Sequence, residues 1–366
     1  MTVQGVKISQ LPTATLPLSG DETVPIVQND VTKKVALKDL PVKINYNWMG
    51  YFNIFPNGAA FRVGASQRAI GAGGATFARL NFIDDQVTIF AEKGLYQSSA
   101  IRVQRDNLNA NTASATIVMN LTQAETQPLL GKQICAQFYA TKSSAWTGSQ
   151  LNMKVLYSKE PQQPITLANG EYTNGNAVLV ENNFYLSTTP LAENSPYSVT
   201  GTLPTDAVQV AIVFTIPWAG TANSTDYVVL EGCFLTIGST PSAIVQEDFT
   251  DLLTKSQTRY QTTYPYGAPR GAITKAGSVR ATAVNTSTTS AVVVPVRFSP
   301  NMVLPPQVLM QSPLSGTENR WENETTGVFV EGLPYNLSNT GVTLQNNGAV
   351  AAGDVLLCHW TARCVF

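Results

Sequence analysis

The chain is short of the residues that most enzymes and nucleic-acid binders depend on. It has one histidine, His359, in 366 residues, and Asp, Glu, Lys and Arg together make up 13% of it. That is about half the charged share of an ordinary globular protein. Net charge is −1 and no basic block occurs, so phosphate neutralisation cannot drive tight nucleic-acid binding. Apolar runs such as "VQVAIVFTIPW" fall short of a membrane span, and the N-terminus lacks a signal-peptide hydrophobic region. The expectation is a protein made in a cytoplasm, without membrane insertion. The four cysteines, Cys135, Cys233, Cys358 and Cys364, show no CxxC spacing. On a strand Cys358 and Cys364 share a face while His359 points to the other, which argues against a zinc site and against a Cys–His nucleophilic pair. The thiols read as free, buried side chains in a sheet, and no cofactor or metal is implied.

What replaces charge is Thr, Ser, Asn, Gln and Gly, the composition of a large β-protein with neutral surfaces. "AVLVENNFYLS", "AVQVAIVFTI", "DYVVLEGCFLTI", "AVVVPVRF" and "QVLMQSPL" are β-branched or aromatic runs bounded by turn residues. Their spacing predicts sandwiches of the jelly-roll kind. One stretch has helical spacing: Val245, Phe249, Leu252 and Leu253, with Ser242 placed to cap the start and Tyr260 near the stop. The expected layout is all-β, with two sandwiches joined by a short helix and preceded by an extended segment. Its boundaries fall at residues 1–44, 45–242, 243–271 and 272–366.

The opening stretch, "VKISQLPTATLPLSGDETVPIVQNDVTKKVALKDL", breaks at Pro12 and then repeats apolar runs too short to bury a core. Such a segment can order by adding strands to a partner, since edge pairing supplies the missing backbone hydrogen bonds. "TVPIVQ" and "KKVALKDL" are too apolar for a disordered arm.

Glycan hydrolysis would need paired carboxylates in a cleft. Asp84 and Asp85 are strand neighbours that point apart. Glu247 and Asp248 sit in the first turns of the expected helix, where acids complement the helix dipole. Glu322 and Glu324 flank Asn323 in what reads as a solvated loop. None makes a convincing pair, and "GAGGAT" lacks the lysine of a phosphate loop. Sugar binding without hydrolysis fits better. Trp146 in "TKSSAWTGSQ", Trp218 in "TIPWAGTANSTD" and Trp321 in "TENRWENETT" lie among small polar neighbours, as sugar-stacking rings in loops would. The competing reading is that each plugs the end of a sandwich. Trp48 and Trp360 read as core.

Leu230, Glu231 and Gly232, then Gly238 and Ser239, then a helix ending in Gln257, Arg259 and Tyr260, follow one another in "DYVVLEGCFLTIGSTPSAIVQEDFTDLLTKSQTRYQTTYPYG". This order resembles a recurrent carbohydrate-binding-like jelly-roll module of tailed-bacteriophage structural proteins. "YFNIFPNGAAF" looks like its first strand and "LTQAETQPLLGKQICAQFYATKS" like its middle. "RLNFIDDQVTIF" departs from the pattern by lacking a Trp that many relatives carry. The opening stretch is similar to the particle-anchoring segment of phage tail fibres and tailspikes. The resemblance covers residues 6–271. It implies a non-enzymatic virion protein, a tail or collar fibre or spike, forming a homotrimer and contacting other virion proteins and host surface glycan. The alternative is a capsid-bound head fibre or decoration protein; a glycan hydrolase is the third class. Anchoring would then fall to Ile8, Leu11, Pro12, Val24, Pro25, Ile26, Val27, Val35 and Leu37.

Overall fold

A computed structural model describes residues 23–28, 31–36, 45–47, 60–62, 79–81, 87–96, 99–161, 176–192, 195–241, 248–265, 267–268 and 270–364. The chain divides into two compact units, Met1–Lys43 and Ile44–Phe366. In the first, β1 (Thr23–Gln28) pairs antiparallel with β2 (Val31–Ala36), in register from Thr23↔Ala36 to Gln28↔Val31. Val24, Pro25, Ile26, Val27 and Val35 lie on these strands, whereas Ile8, Leu11, Pro12 and Leu37 fall outside the described residues. A two-stranded ribbon is marginal in water by itself.

The second unit begins with a β-sandwich. Its six-stranded sheet contains β3 (Ala60–Arg62), β5 (Val87–Glu92), β6 (Ala100–Arg105), β8 (Gln133–Lys142), β11 (Tyr197–Thr202) and β13 (Tyr227–Ile237), ordered β11-β8-β13-β6-β5-β3. Its five-stranded sheet contains β4 (Arg79–Asn81), β7 (Ala115–Asn120), β9 (Leu151–Ser158), β10 (Asn176–Phe184) and β12 (Gln209–Ile216), ordered β10-β9-β12-β7-β4. Alternate residues of both sheets, among them Ile101, Val103, Ile117, Met153, Ile212 and Leu230, pack into one core. Phe138 centres it, with its ring 4.9 Å from Phe214 and 5.2 Å from Tyr197. The β-branched runs therefore become strands because alternation buries one face of each.

The C-terminal module is a single branched sheet. Its central strand, β21 (Val355–Arg363), pairs with β14 (Tyr260–Thr262), β15 (Val279–Thr282), β17 (Gln307–Gln311) and β18 (Arg320–Asn323). Beyond β18 the sheet continues through β19 (Phe329–Tyr335) and β20 (Gly341–Asn346) to β16 (Val293–Arg297). Leu356, Cys358, Trp360 and Ala362 face its core, with Met310, Trp321 and Leu344. The all-β expectation holds.

Two helices, α1 (Gln123–Thr126) and α2 (Phe249–Gln257), bring the modules together. The α2 N-cap is Asp248, whose carboxylate accepts the Thr250 amide at 2.7 Å and is held below its ordinary range by that bond. The helix expected from Ser242 therefore starts later, among the described residues, and Ser242, Val245 and Glu247 lie outside them. Leu252 is buried in the sandwich core, while Phe249 is 51% exposed. Only part of the expected apolar stripe is used, and Tyr260 opens β14 rather than closing the helix.

Just past α2, Arg259 is 6% exposed and clasps both modules. Its Nη1 donates to the Asn120 carbonyl at 2.8 Å, and Nη2 meets Glu125 Oε2 at 2.5 Å. Glu125 is already positioned by a capping box with Thr122. On the other side the Arg259 carbonyl accepts the Cys364 amide at 2.8 Å, and the Thr258 carbonyl accepts that of Val303. Hydrogen bonds to charged groups are worth about 1.5–3 kcal/mol. Arg259→Ala is therefore expected to lower stability by about 3 kcal/mol and to split one calorimetric transition into two. An unchanged single transition would show that the clasp does not couple the modules.

Candidate functional site

The six-stranded sheet turns one face to the core, and on the other Phe90, Glu92, Arg102 and Tyr227 are partly exposed among the described residues. Core-facing Ile89, Ile101, Val103, Val228 and Leu230 alternate with Phe90, Glu92, Arg102, Tyr227 and Glu231 on the opposite face. Cross-strand register sets two rows there: Phe90–Arg102–Val229–Thr141 and Glu92–Ala100–Glu231–Tyr139. In the first, the Arg102 guanidinium carbon lies 4.2 Å from the Phe90 ring centroid and 5.2 Å from that of Tyr227. Its Nε is 2.8 Å from Glu92 Oε1, although the N–H is not aimed along that contact. Arg102 and Glu92 keep 26% and 34% of their side-chain surface exposed.

In the second row the small Ala100 leaves a pit of about 220 Å³, bounded by Glu92, Lys93, Leu95, Tyr96, Tyr139 and Glu231. Tyr96 and Tyr139 stand 4.5 Å apart, tilted by 35°. The Tyr96 hydroxyl donates to the Leu191 carbonyl, and Glu231 accepts the Leu95 and Tyr96 amides at 2.9 and 2.5 Å. Glu231 is 5% exposed and holds the wall of the pit. Gly232 follows at φ +61°, where β13 slips against β8 between Glu231 and Phe234. The Leu-Glu-Gly stretch thus shapes the sheet face.

The three Trp side chains expected in the loops are buried: Trp146 is 6%, Trp218 5% and Trp321 0% exposed. None offers a free ring face, which corrects the expectation that they present sugar-stacking surfaces. Their small neighbours make room for the rings. A Cβ on Gly148 would lie 2.4 Å from the Trp146 ring, and one on Gly332 would lie 2.5 Å from that of Trp321. Trp218 packs over Arg105, its ring centroid 5.4 Å from the guanidinium carbon. Arg105 itself pairs with Asp226 at 2.8 Å, both sealed from solvent. It also donates to the carbonyls of Asn111, Ala219 and Gly220 and to Thr147 Oγ1, stapling three loops at one end of the sandwich. Sequence reading missed Arg105, because a lone arginine at a strand end carries no pattern. Trp360 lies in the core as expected, and Trp48 falls outside the described residues.

Glu322 is not solvated, a second correction. It sits in β18 at 2% exposure, beneath Lys275, whose Nζ lies 3.8 Å from Glu322 and 3.0 Å from Glu324. Burial pushes the Glu322 carboxyl up, while the Lys275 hydrogen bond pulls Glu324 down. Lys275 belongs to a strap, described at residues 263–265, 267–268 and 270–275, held against the C-terminal sheet by His359. His359 Nε2 donates to the Thr274 carbonyl at 2.8 Å, and Nδ1 accepts from Thr263 Oγ1 at 3.0 Å. Tyr264 stacks on the imidazole at 3.9 Å, and burial raises its phenol to about 12. These carboxylates tie down a strap rather than flank a cleft. Asp84 and Asp85 lie outside the described residues.

All four cysteines are free. Among the described residues no cluster suited to a metal ion occurs, and no helix is long and apolar enough to cross a membrane.

No family model and no curated protein matches this chain. Several solved structures align with part of this chain. The enzymatically active domain of tailspike protein 4 from bacteriophage CBA120 is 11% identical at a TM-score of 0.30, matching 48% of this chain and 21% of its own. A CBM4 protein is 13% identical at 0.30, matching 52% of this chain and 97% of its own. The C-terminal family 22 carbohydrate-binding module of Clostridium thermocellum Xyn10B is 12% identical at 0.27, matching 45% and 88%. The matched part is thus about a fifth of the tailspike domain. At these TM-scores nothing about ligand or activity passes from those proteins to this one.

Two predictions follow from the buried groups. Trp321→Ala is expected to cost about 3–5 kcal/mol of folding stability, and Gly332→Ala to destabilise as well by driving a methyl into the indole. Denaturant melts of both variants test this. Separately, burial holds the folded-state pKa of His359 down. The unfolded chain therefore takes up the proton first. The stability from neutral His359 is complete above its unfolded pKa of about 6.5 and is lost as pH falls through the lower folded value. Stability should drop between pH 7.5 and 5.5 in the native protein, and a pH-independent His359→Gln melt over that window is the expected control.

Proposed function

We propose that this chain is a non-catalytic structural subunit of a tailed-phage particle, a tail or collar fibre or spike. It is anchored through its N-terminal segment and contacts host-surface glycan through the outer face of the six-stranded sheet. The observation that carries the glycan part is the partly exposed cluster of Phe90, Arg102 and Tyr227 beside the pit that Tyr96 and Glu92 border. Aromatic faces receive the C–H surfaces of a sugar ring, while guanidinium and carboxylate groups answer its hydroxyls. At about 220 Å³ the pit is below the usual 300–1,000 Å³ of a closed ligand pocket, which suits one ring of a surface-bound chain.

The virion part rests on the ordered resemblance along residues 6–271, and on the positions its motif residues occupy. Glu231 and Gly232 shape the sheet face, and Arg259 and Tyr260 form the joint. Non-enzymatic action is part of the same reading, since the candidate carboxylates among the described residues serve as a helix cap (Asp248) or strap ties (Glu322 and Glu324). A homotrimer multiplies weak single-ring contacts by avidity. The head-fibre or decoration reading gains from one observation, the burial of Trp146, Trp218 and Trp321, which removes three candidate receptor contacts.

The test uses particles carrying either Arg102→Ala with Tyr227→Ala or a deletion of residues 1–40. Removing one stacked ring is worth on the order of 1 kcal/mol beyond its area, so adsorption to host envelope polysaccharide should fall at least about tenfold in the double variant. The deletion should leave a folded body that no longer enters particles. Normal adsorption by the double variant would favour the head-fibre reading, and normal incorporation of the deletion would end the anchoring one. Reducing-end release from the polysaccharide by purified protein would overturn the non-catalytic reading.

A further inference from the structure

We propose a second saccharide site, in the C-terminal module, where a cleft of about 500 Å³ opens beside the β18–β19 hairpin. It lies on a different module from the sheet face discussed above and does not rest on that reading. Arg320 and Glu331 are directly opposed across the hairpin, the register at which opposite charges ordinarily meet. Lys154 and Glu181 do so on β9 and β10, at 3.8 Å. Arg320 and Glu331 instead form no ion pair, and neither side chain makes a hydrogen bond among the described residues. Both line the cleft with their polar groups uncommitted.

The floor of the cleft is polar and already ordered. Asn323 and Asp354 are 3% and 8% exposed. Asp354 Oδ2 takes both bonds made to that carboxylate, from Asn323 Nδ2 at 2.7 Å and the Ala351 amide at 3.0 Å. Oδ1 is left without a partner among the described residues, and it is not among the atoms sealed from solvent. At the rim Phe329 is 45% exposed, an aromatic surface beside the exposed Val328.

The mixture of signs selects the ligand. An anion meeting Arg320 would be opposed by Asp354 and Glu331, and a cation meeting those carboxylates would be opposed by Arg320. A neutral hydroxyl both donates and accepts, so a polyol can satisfy the arginine and the two carboxylates together. The Phe329 ring adds a surface for the C–H face of a pyranose. At about 500 Å³ the cleft lies within the roughly 300–1,000 Å³ of small-ligand sites. A neutral sugar fits this chemistry.

The experiment is saturation-transfer NMR on the full chain with glucose, galactose, rhamnose and N-acetylglucosamine, followed by amide mapping at Thr326, Gly348 and Ala349. At least one sugar is expected to bind and to shift these amides. Phe329→Ala should weaken it about tenfold, and Arg102→Ala with Tyr227→Ala should leave it unchanged. Glu331→Gln, a near-isosteric change at an exposed side chain, gives a second variant with the same expected loss should Phe329→Ala fail to fold. The proposal is overturned if none of these sugars moves the three amides. It is equally overturned if binding survives Phe329→Ala and Glu331→Gln but is lost in the sheet-face variant. That last outcome would leave the proposed function standing.

Discussion

The second unit depends on a charge taken out of water. Arg259 cannot be buried without partners, because an unanswered guanidinium in the interior costs several kcal/mol. The partners it finds are the Asn120 carbonyl at the end of β7 and the Glu125 carboxylate on α1. Neither group can move far. Asn120 belongs to the central ladder of the five-stranded sheet, and Glu125 is held by the Thr122 amide at 2.6 Å. The Arg259 carbonyl accepts the amide of Cys364, immediately after β21. One side chain and its own backbone therefore connect the two cores, so a rotation of one module against the other would strand a buried charge. The walls of a groove of about 440 Å³, formed by Thr122, Gln127 and Gln209 from one module and Val303 and Leu304 from the other, lie where this clasp holds them.

Burial of polar groups recurs on β21. Its even-numbered residues, Leu356 to Ala362, serve the core, as alternation requires. The odd-numbered His359, Thr361 and Arg363 are also buried, at 0%, 1% and 4% exposure. A sheet with both faces covered needs either apolar residues on both or a cover that supplies hydrogen bonds. The strap supplies them: Thr263 and Thr274 meet the two nitrogens of His359, and Tyr264 reaches Gln311 at 3.2 Å. On the neighbouring β18 the Glu322 carboxylate has Oε2 sealed from solvent and without a hydrogen-bond partner among the described residues. A low charge density overall does not prevent local strain where a charge is buried.

Much of the fold was legible because alternation is local. "AVQVAIVFTI" becomes β12, "DYVVLEGCFLTI" becomes β13 and "QVLMQSPL" contains β17, since β-branched residues at period two leave few other ways to bury them. The opposite faces of Cys358 and His359 followed from the same rule. The Trp positions were misread because polar, glycine-containing neighbours suit two environments. They suit an exposed loop, and they equally suit a packed site in which the missing Cβ makes space for an indole, as at Gly148 beside Trp146. Nothing within ten residues of Trp321 reveals that Gln345 accepts its Nε1–H at 3.2 Å. Glu322 and the candidate rows on the six-stranded sheet were hidden for a related reason. Their environments are set by residues far along the chain, Lys275 for the first and Tyr227 for the second.

This division bears on where a neutral β-protein can keep binding chemistry. Its large aromatics are drawn inward wherever glycine gives them room, because burial of an indole removes more apolar area from water than any smaller side chain. What stays outside must be held there by something other than the core. On the six-stranded sheet that restraint is the stack of Arg102 between Phe90 and Tyr227, in which the cation favours the ring faces and Glu92 tethers the cation. On the C-terminal hairpin Arg320 and Glu331 are set opposite by register and form no ion pair among the described residues. With charge at 13% of the chain, each uncommitted ionic group is a larger share of the available polarity than it would be in an ordinary protein. The places where charge stands beside an accessible ring are therefore the places on which both proposed saccharide contacts are built.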